Sequence, residues 1–173
     1  MSQNAIPQSI APTPRRTITA GLIEDARKHV YEAAVRTPLV PLNYYEAPCS
    51  VYLKLESLQP IGSFKIRGAY NAVRLLAADE RARGVWTVSA GNAAQGVALA
   101  ARKAGVSCKV LVMDTAPNTK LEAIRRLGAE IVKAPFDECW QALGERKHPA
   151  MGGSFVHPFE DDAFIVGNAS VGL

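Results

Sequence analysis

The chain has 173 residues, 48% of them hydrophobic and 21% charged, with a formal net charge of +4. That balance excludes a disordered or fibrous chain and allows a substantial core, in one domain or as part of a two-domain protein. The basic residues are spread along helix ends and faces (Arg81/Arg83, Arg102/Lys103, Arg125/Arg126, Arg146/Lys147), without the basic stripe and interleaved aromatics of a nucleic-acid surface, and no apolar run is long enough to cross a bilayer.

Residues 1–19 carry Pro7, Pro12 and Pro14 and no apolar signal core, which reads as a mobile tail rather than a secretory signal. Arg15 and Arg16, with no acid in the tail, leave an organelle-targeting role open. Cys49, Cys108 and Cys139 are odd in number and lack zinc-ligand spacing. Reduced thiols in a cytoplasmic protein are the default, with Cys49 and Cys108 read as packing residues. His29, His148 and His157 are also dispersed, so no metal is expected.

Thr19 is placed to cap a helix over Ala20–Ala34, with Leu22, Ile23, Ala26, Val30, Ala33 and Ala34 on one face. Thr37-Pro38 breaks it. Val51–Leu55 reads as a strand. Gln59-Pro60-Ile61-Gly62 then turns into a second helix, with Ser63 as its cap and Phe64, Ala69, Ala72, Val73 and Leu76 at helical spacing, ending near Ala77–Asp79. Lys65 falls in the first turn of that helix, where the macrodipole is unfavourable to a cation. A lysine held neutral can form a Schiff base. On this feature alone, a surface lysine with a solvated head is the simpler reading.

Strands and helices then alternate. The predicted strands are Val85–Val88, Lys109–Met113, Glu130–Lys133 and Ser154–Val156. The predicted helices are Ala93–Ala104, Asn118 or Thr119 to Leu127, and Asp137–Glu145, the first two stopped by Gly105 and Gly128. This alternation predicts an α/β lobe, a parallel sheet with helices on both faces. Ser89-Ala90-Gly91-Asn92-Ala93-Ala94-Gln95-Gly96 joins a strand's C-terminal end to a helix N-terminus, the edge at which such sheets bind ligands and at which backbone N–H groups accept an anion. Val97-Ala98 stands where a P-loop needs Lys-Ser/Thr, and there is no G-x-G-x-x-G. An ordinary βα turn with an Asn cap explains the segment equally well.

Together the two segments resemble one family. Ser63-Phe64-Lys65-Ile66-Arg67-Gly68-Ala69 resembles the cofactor-lysine motif of fold-type II pyridoxal-phosphate enzymes, and Ser89-Ala90-Gly91-Asn92-x-x-Gln95-Gly96 resembles their substrate and cofactor loop. Lys54-Leu55-Glu56, Lys120–Gly128 and Val156-His157-Pro158-Phe159 are similar to the threonine/serine dehydratase (threonine ammonia-lyase) branch. The likeness runs from about residue 20 to the end.

The resemblance implies pyridoxal 5'-phosphate on Lys65, whose freed amine removes the substrate α-proton. It implies Phe64 beside the cofactor and Asn92 on its phenolic oxygen. Ser89, Ala90, Gly91, Asn92 and Gln95 would bind the substrate carboxylate. It implies elimination of the β-hydroxyl of threonine or serine to a 2-oxo acid and ammonia, in amino-acid metabolism such as isoleucine biosynthesis, by a cytoplasmic enzyme that is a homo-oligomer at full length. The alternatives are a related racemase or β-replacement enzyme. Racemases of the family place Ser where Ala90 stands, and many members have His where Ala93 stands. His157 is read as structural, and Glu160-Asp161-Asp162 as a solvated loop.

The resemblance also implies a domain plan: 1–19 tail, 20–78 the first part of a large cofactor domain, 79–157 a complete small α/β domain, and 158–173 the return to the large domain. The family's phosphate loop, its pyridine-nitrogen partner and most of the large sheet follow later in sequence. The expectation is therefore an N-terminal piece or a truncated, inactive relative, with apolar surface left exposed. Gly167–Leu173 is expected to begin a helix.

Overall fold

The computed structural model describes residues 16–46 and 48–173. Of the predicted tail, residues 1–15 lie outside the described residues.

Helix α1 (Ala20–Val30) begins where Thr19 Oγ1 accepts from Leu22 N at 3.3 Å, as its capping position predicts. It ends four residues short of the predicted Ala34, in a turn. The predicted strand is β2 (Tyr52–Lys54), and its partner is a short strand, β1 (Leu39–Pro41), that the sequence reading missed. Pro38 and Pro41 obscured the signal, since proline is tolerated only where no ladder N–H is needed. The pair leaves Leu39, Tyr52 and Leu53 exposed. Helix α2 (Lys65–Leu75) stops before Ala77, and a separate short helix, α3 (Ala78–Ala82), follows, with Glu80 accepting from Ala77 N at 3.0 Å.

The alternation then appears as expected: β3 (Val85–Val88), α4 (Asn92–Ala104), β4 (Cys108–Met113), α5 (Asn118–Arg126), β5 (Glu130–Ala134), α6 (Phe136–Glu145) and β6 (Ser154–Phe155). The sheet order is β5-β4-β3-β6, all parallel. Side chains alternate between its faces. Val110 and Val112 pack with α4 and α5, while Leu111 packs with Cys139 and Ala142 of α6. This is a parallel sheet covered on both sides.

The last helix, α7 (Asp162–Ala169), begins five residues earlier than the predicted helix and continues into a 3₁₀ turn at Ser170–Gly172. It crosses α2 at closest approach between Gly68 and Gly167. A Cβ on Gly167 would lie 2.8 Å from Gly68 Cα and 2.7 Å from Asn71 Cβ, so only glycine permits this crossing. Asn168 Oδ1 accepts from Gly68 N at 3.0 Å, and Asn71 Nδ2 donates to Ala163 O at 2.8 Å. Chain segments nearly 100 residues apart are thereby locked around the start of α2.

Two smaller expectations are corrected. Cys49 is exposed rather than packed, whereas Cys108 and Cys139 are buried. Asp161 is not a solvated loop residue: its carboxylate accepts from His157 N at 2.6 Å and from Arg146 Nη1 at 2.6 Å.

Candidate active site

Lys65 is the first residue of α2, and its backbone N–H donates to Ser63 Oγ at 3.3 Å. Phe64 rather than Ser63 occupies the cap position, so the serine braces the turn from one residue further out. The Lys65 side chain is half-buried. Nζ donates to Pro158 O at 3.2 Å and lies 5.1 Å from the centroid of Phe159, 5.4 Å from Phe164 and 5.5 Å from Phe64. Burial pushes its pKa below 10.5. The helix dipole used in the sequence argument acts in the same direction, but desolvation is the cause the structure supports. A lysine surrounded by three rings and a carbonyl is easier to deprotonate than one paired with a carboxylate.

The second segment sits on the adjoining helix. Ser89 leaves β3, with its N–H bonded to Leu111 O at 3.1 Å, and its Oγ accepts from Gly91 N at 3.1 Å. Gly91 occupies the N-cap position of α4 without a side-chain cap. The first N–H groups of such a helix end have no intrahelical partner and favour an anion. Asn92 is exposed at the first helical position, with Gln95 partly buried one turn on. Ala90 is half-buried and carries no titratable group.

Gly96 brings the two segments together. A Cβ there would stand 3.0 Å from Ala69 Cβ and 3.1 Å from Lys65 O. Its absence lets α4 rest directly on the first turn of α2. Lys65 and Phe64 thus sit on one helix start, and Ser89, Ala90, Gly91, Asn92 and Gln95 on the start of the helix packed against it.

Several groups at the Lys65 amine and along its helix escaped the sequence reading, Phe164 among them. Pro158 and Phe159 approach Nζ from 93 residues away, whereas the His-Pro-Phe segment had suggested a structural histidine and a likeness to the dehydratase branch but no contact with Lys65. Arg67, fully buried, forks onto Glu56: Nε to Oε2 and Nη2 to Oε1, both 2.8 Å. Glu56 also accepts from Thr37 Oγ1 at 2.6 Å and Gln59 Nε2 at 3.1 Å. An arginine on the apolar face of a helix was the available signal.

The residues present fit pyridoxal phosphate in chemistry. An aldehyde cofactor needs a lysine amine whose neutral form is accessible, flanked by apolar surface, beside donors for anionic oxygens. Lys65, the rings of Phe64 and Phe159, and the uncapped end of α4 offer these.

The model of the family described as "Pyridoxal-phosphate dependent enzyme" matches residues 30–173. An L-threonine ammonia-lyase from Thermotoga maritima is 46% identical over 125 residues, which is 71% of this chain but 31% of that protein. The processed form of threonine deaminase isoform 2 from Solanum lycopersicum superposes with a TM-score of 0.75 at 30% identity, covering 98% of this chain and 52% of that one. Serine racemase from Dictyostelium discoideum gives a TM-score of 0.78 at 32% identity, covering 89% and 51%. The chain therefore spans under a third of that ammonia-lyase and about half of each solved chain.

Proposed function

Because this chain belongs to the family of pyridoxal-phosphate-dependent enzymes, we propose that it forms the N-terminal part of an ammonia-lyase that removes the β-hydroxyl of threonine or serine. The observation that carries this reading is Lys65: a half-buried amine with a lowered pKa, ringed by aromatics, on a helix start that abuts a second helix start.

On this reading Lys65 would hold the cofactor through Nζ, Phe64 would pack beside it, and the Asn92 amide would hydrogen-bond its phenolic oxygen. Pyridoxal phosphate, when bound, supplies an electron sink for charge at the substrate α-carbon. Ser89, Ala90, Gly91 and Asn92, with Gln95, would hold the substrate carboxylate and fix its orientation, the N–H groups of Ser89 and Gly91 being already engaged by Leu111 O and Ser89 Oγ. Once the substrate amine has displaced it from the cofactor, Lys65 Nζ, free and neutral, would take the α-proton. The β-hydroxyl would leave as water, the departing hydroxide being balanced by the proton removed from the α-carbon, and hydrolysis of the released enamine would give a 2-oxo acid and ammonia. Racemisation would need a second acid–base group on the far side of the substrate, and Ala90 provides none.

Residues 79–157 are then the small α/β domain, and residues 20–78 and 158–173 belong to a larger cofactor domain. The whole protein is expected to be a cytoplasmic homo-oligomer of amino-acid metabolism, in isoleucine synthesis or in the breakdown of serine or another hydroxy amino acid. No described helix is long and apolar enough to cross a membrane.

The test is a pyridoxal-phosphate titration read by visible absorption, then borohydride trapping and peptide mapping. The expected result is a single label on Lys65, and 2-oxo acid release from threonine or serine by the protein that contains this chain. Label scattered over surface lysines would overturn the assignment of Lys65.

A further inference from the structure

We propose that His157 is a positioning residue, whose neutral Nδ1 holds the 158–160 turn against the free amine of Lys65. His157 is 3% exposed. Its Nδ1 faces two backbone donors, Phe159 N at 3.1 Å and Glu160 N at 3.0 Å. A nitrogen that accepts two N–H groups carries a lone pair, so the ring is the neutral Nε2–H tautomer. Across the turn, His157 N donates to Asp161 Oδ2 at 2.6 Å. The turn is therefore closed from both ends.

What it closes around is Lys65. Pro158 O accepts from Nζ at 3.2 Å, and the Phe159 ring stands 5.1 Å from it. Phe159 is 59% exposed, so apolar burial does not hold its ring there. The hydrogen bonds to His157 fix the backbone from which that ring projects. The imidazole is itself set edge-on between Phe155 at 5.6 Å and Phe159 at 6.1 Å. Phe155 lies 4.3 Å from Trp86 on β3, and Val156 N donates to Trp86 O at 2.8 Å. A rigid path thus runs from the sheet through His157 to the amine.

The charged groups around the imidazole are Glu160, with Oε2 3.5 Å from Nε2, then Asp161, Arg146 bridging both acids, and Arg16 paired with Asp162. Burial lowers the histidine pKa below 6.5, and Arg146 and Arg16 add to that effect against the two acids. A proton on Nδ1 would point at two N–H groups and open the turn. His157 then has a function distinct from acid–base chemistry: it sets where the Lys65 amine rests when that amine is not engaged, the state from which it must reach a proton.

The proposal rests on Lys65 being the reactive amine, but its readouts need no cofactor, so its failure is separable from failure of the lyase reading. Imidazole ¹⁵N shifts of the 173-residue chain at neutral pH should show the Nε2–H tautomer; the Nδ1–H tautomer or a cation would overturn it. The pH midpoint for acylation of Lys65 is the second readout. His157→Asn keeps an acceptor at the Nδ1 position and should titrate like the wild type. His157→Gln moves the acceptor away and should raise the Lys65 midpoint by about one pH unit as the turn releases and water enters. A Gln variant that titrates like the wild type, or an Asn variant that titrates like Gln, overturns the proposal. Should His157→Gln fail to fold, the tautomer measurement on the wild type decides alone.

Discussion

Arg67 and Glu56 meet fork to fork, with two bonds of 2.8 Å between a side chain with no exposure and one that is 11% exposed. The pair fastens the loop from Glu56 to Ser63 onto the helix that begins at Lys65. Thr37 and Gln59 complete it, and Gln59 in turn holds both the N–H and the C=O of Val35 at 2.9 Å. The segment entering the site is thus fixed by these polar contacts together with the packing of Ile61 among Ala33, Ala34, Ile66 and Leu99.

Removing one partner of a buried pair leaves the other charge unmet. Arg67→Met is expected to cost roughly 3–5 kcal/mol in urea denaturation. Arg67→Lys keeps the charge but loses the fork and is expected to cost about 1–3 kcal/mol. The double variant Arg67→Met/Glu56→Leu should recover much of the loss, because neither buried group is then orphaned. Equal destabilisation by the single and double variants would show that the pair is not the relevant contact.

Gly96 makes a different prediction, since its neighbours are Ala69 and the Lys65 carbonyl rather than a flexible side chain. Gly96→Val must push α4 away from α2. The expected cost is about 1–3 kcal/mol, the range for overpacking. The Lys65 label should also be weakened or lost at cofactor concentrations that saturate the wild type. A valine variant with unchanged midpoint and unchanged labelling would show that the two helix starts do not need this approach.

Lys65 should be a site where function opposes stability. Burial places its folded pKa below the ordinary 10.5. The folded state therefore disfavours the ammonium form. The stability tied to the neutral amine is fully present above pH 10.5 and lost as pH falls through the folded value. At neutral pH the charge is carried at a cost, so Lys65→Met is expected to raise the denaturation midpoint at pH 7. That gain should vanish above pH 10.5. A methionine variant less stable than the wild type at pH 7 would mean that the Pro158 contact and the three rings stabilise the cation more than burial penalises it.

The three cysteines should separate by rate. Cys49 is exposed, whereas burial pushes the Cys108 thiol up to about 12 and raises that of Cys139. Thiolate is the reactive form, so a disulfide reagent at pH 8 should titrate Cys49 first, with the other two reacting only on unfolding. Three cysteines reacting at one rate in the native chain would contradict the burial of Cys108 and Cys139.

Legibility followed the range of the physics. Periodicity, caps and turn residues act over a few positions, so the alternation from Val85 to Phe155 was readable to within a residue or two at most boundaries. Elements shaped by contact were not. The strand Leu39–Pro41 exists because Val40 pairs with Leu53, and α7 starts at Asp162 because Asp161 is engaged by His157 and Arg146.

By itself the sequence determined the α/β lobe, the placing of Lys65 at a helix start and of Ser89–Asn92 at a strand's end, and the likeness to a cofactor family, because each depends on residue type and local spacing. Only the tertiary structure decided what surrounds the amine. Pro158 lies 93 positions from Lys65, Asn168 lies 100 from Gly68, and Ser170 lies 103 from Arg67. Which of many polar and aromatic groups closes on one lysine is settled by the glycine contacts that let α2 touch α4 and α7, and such close approach is a property of packed backbones rather than of any local run of residues.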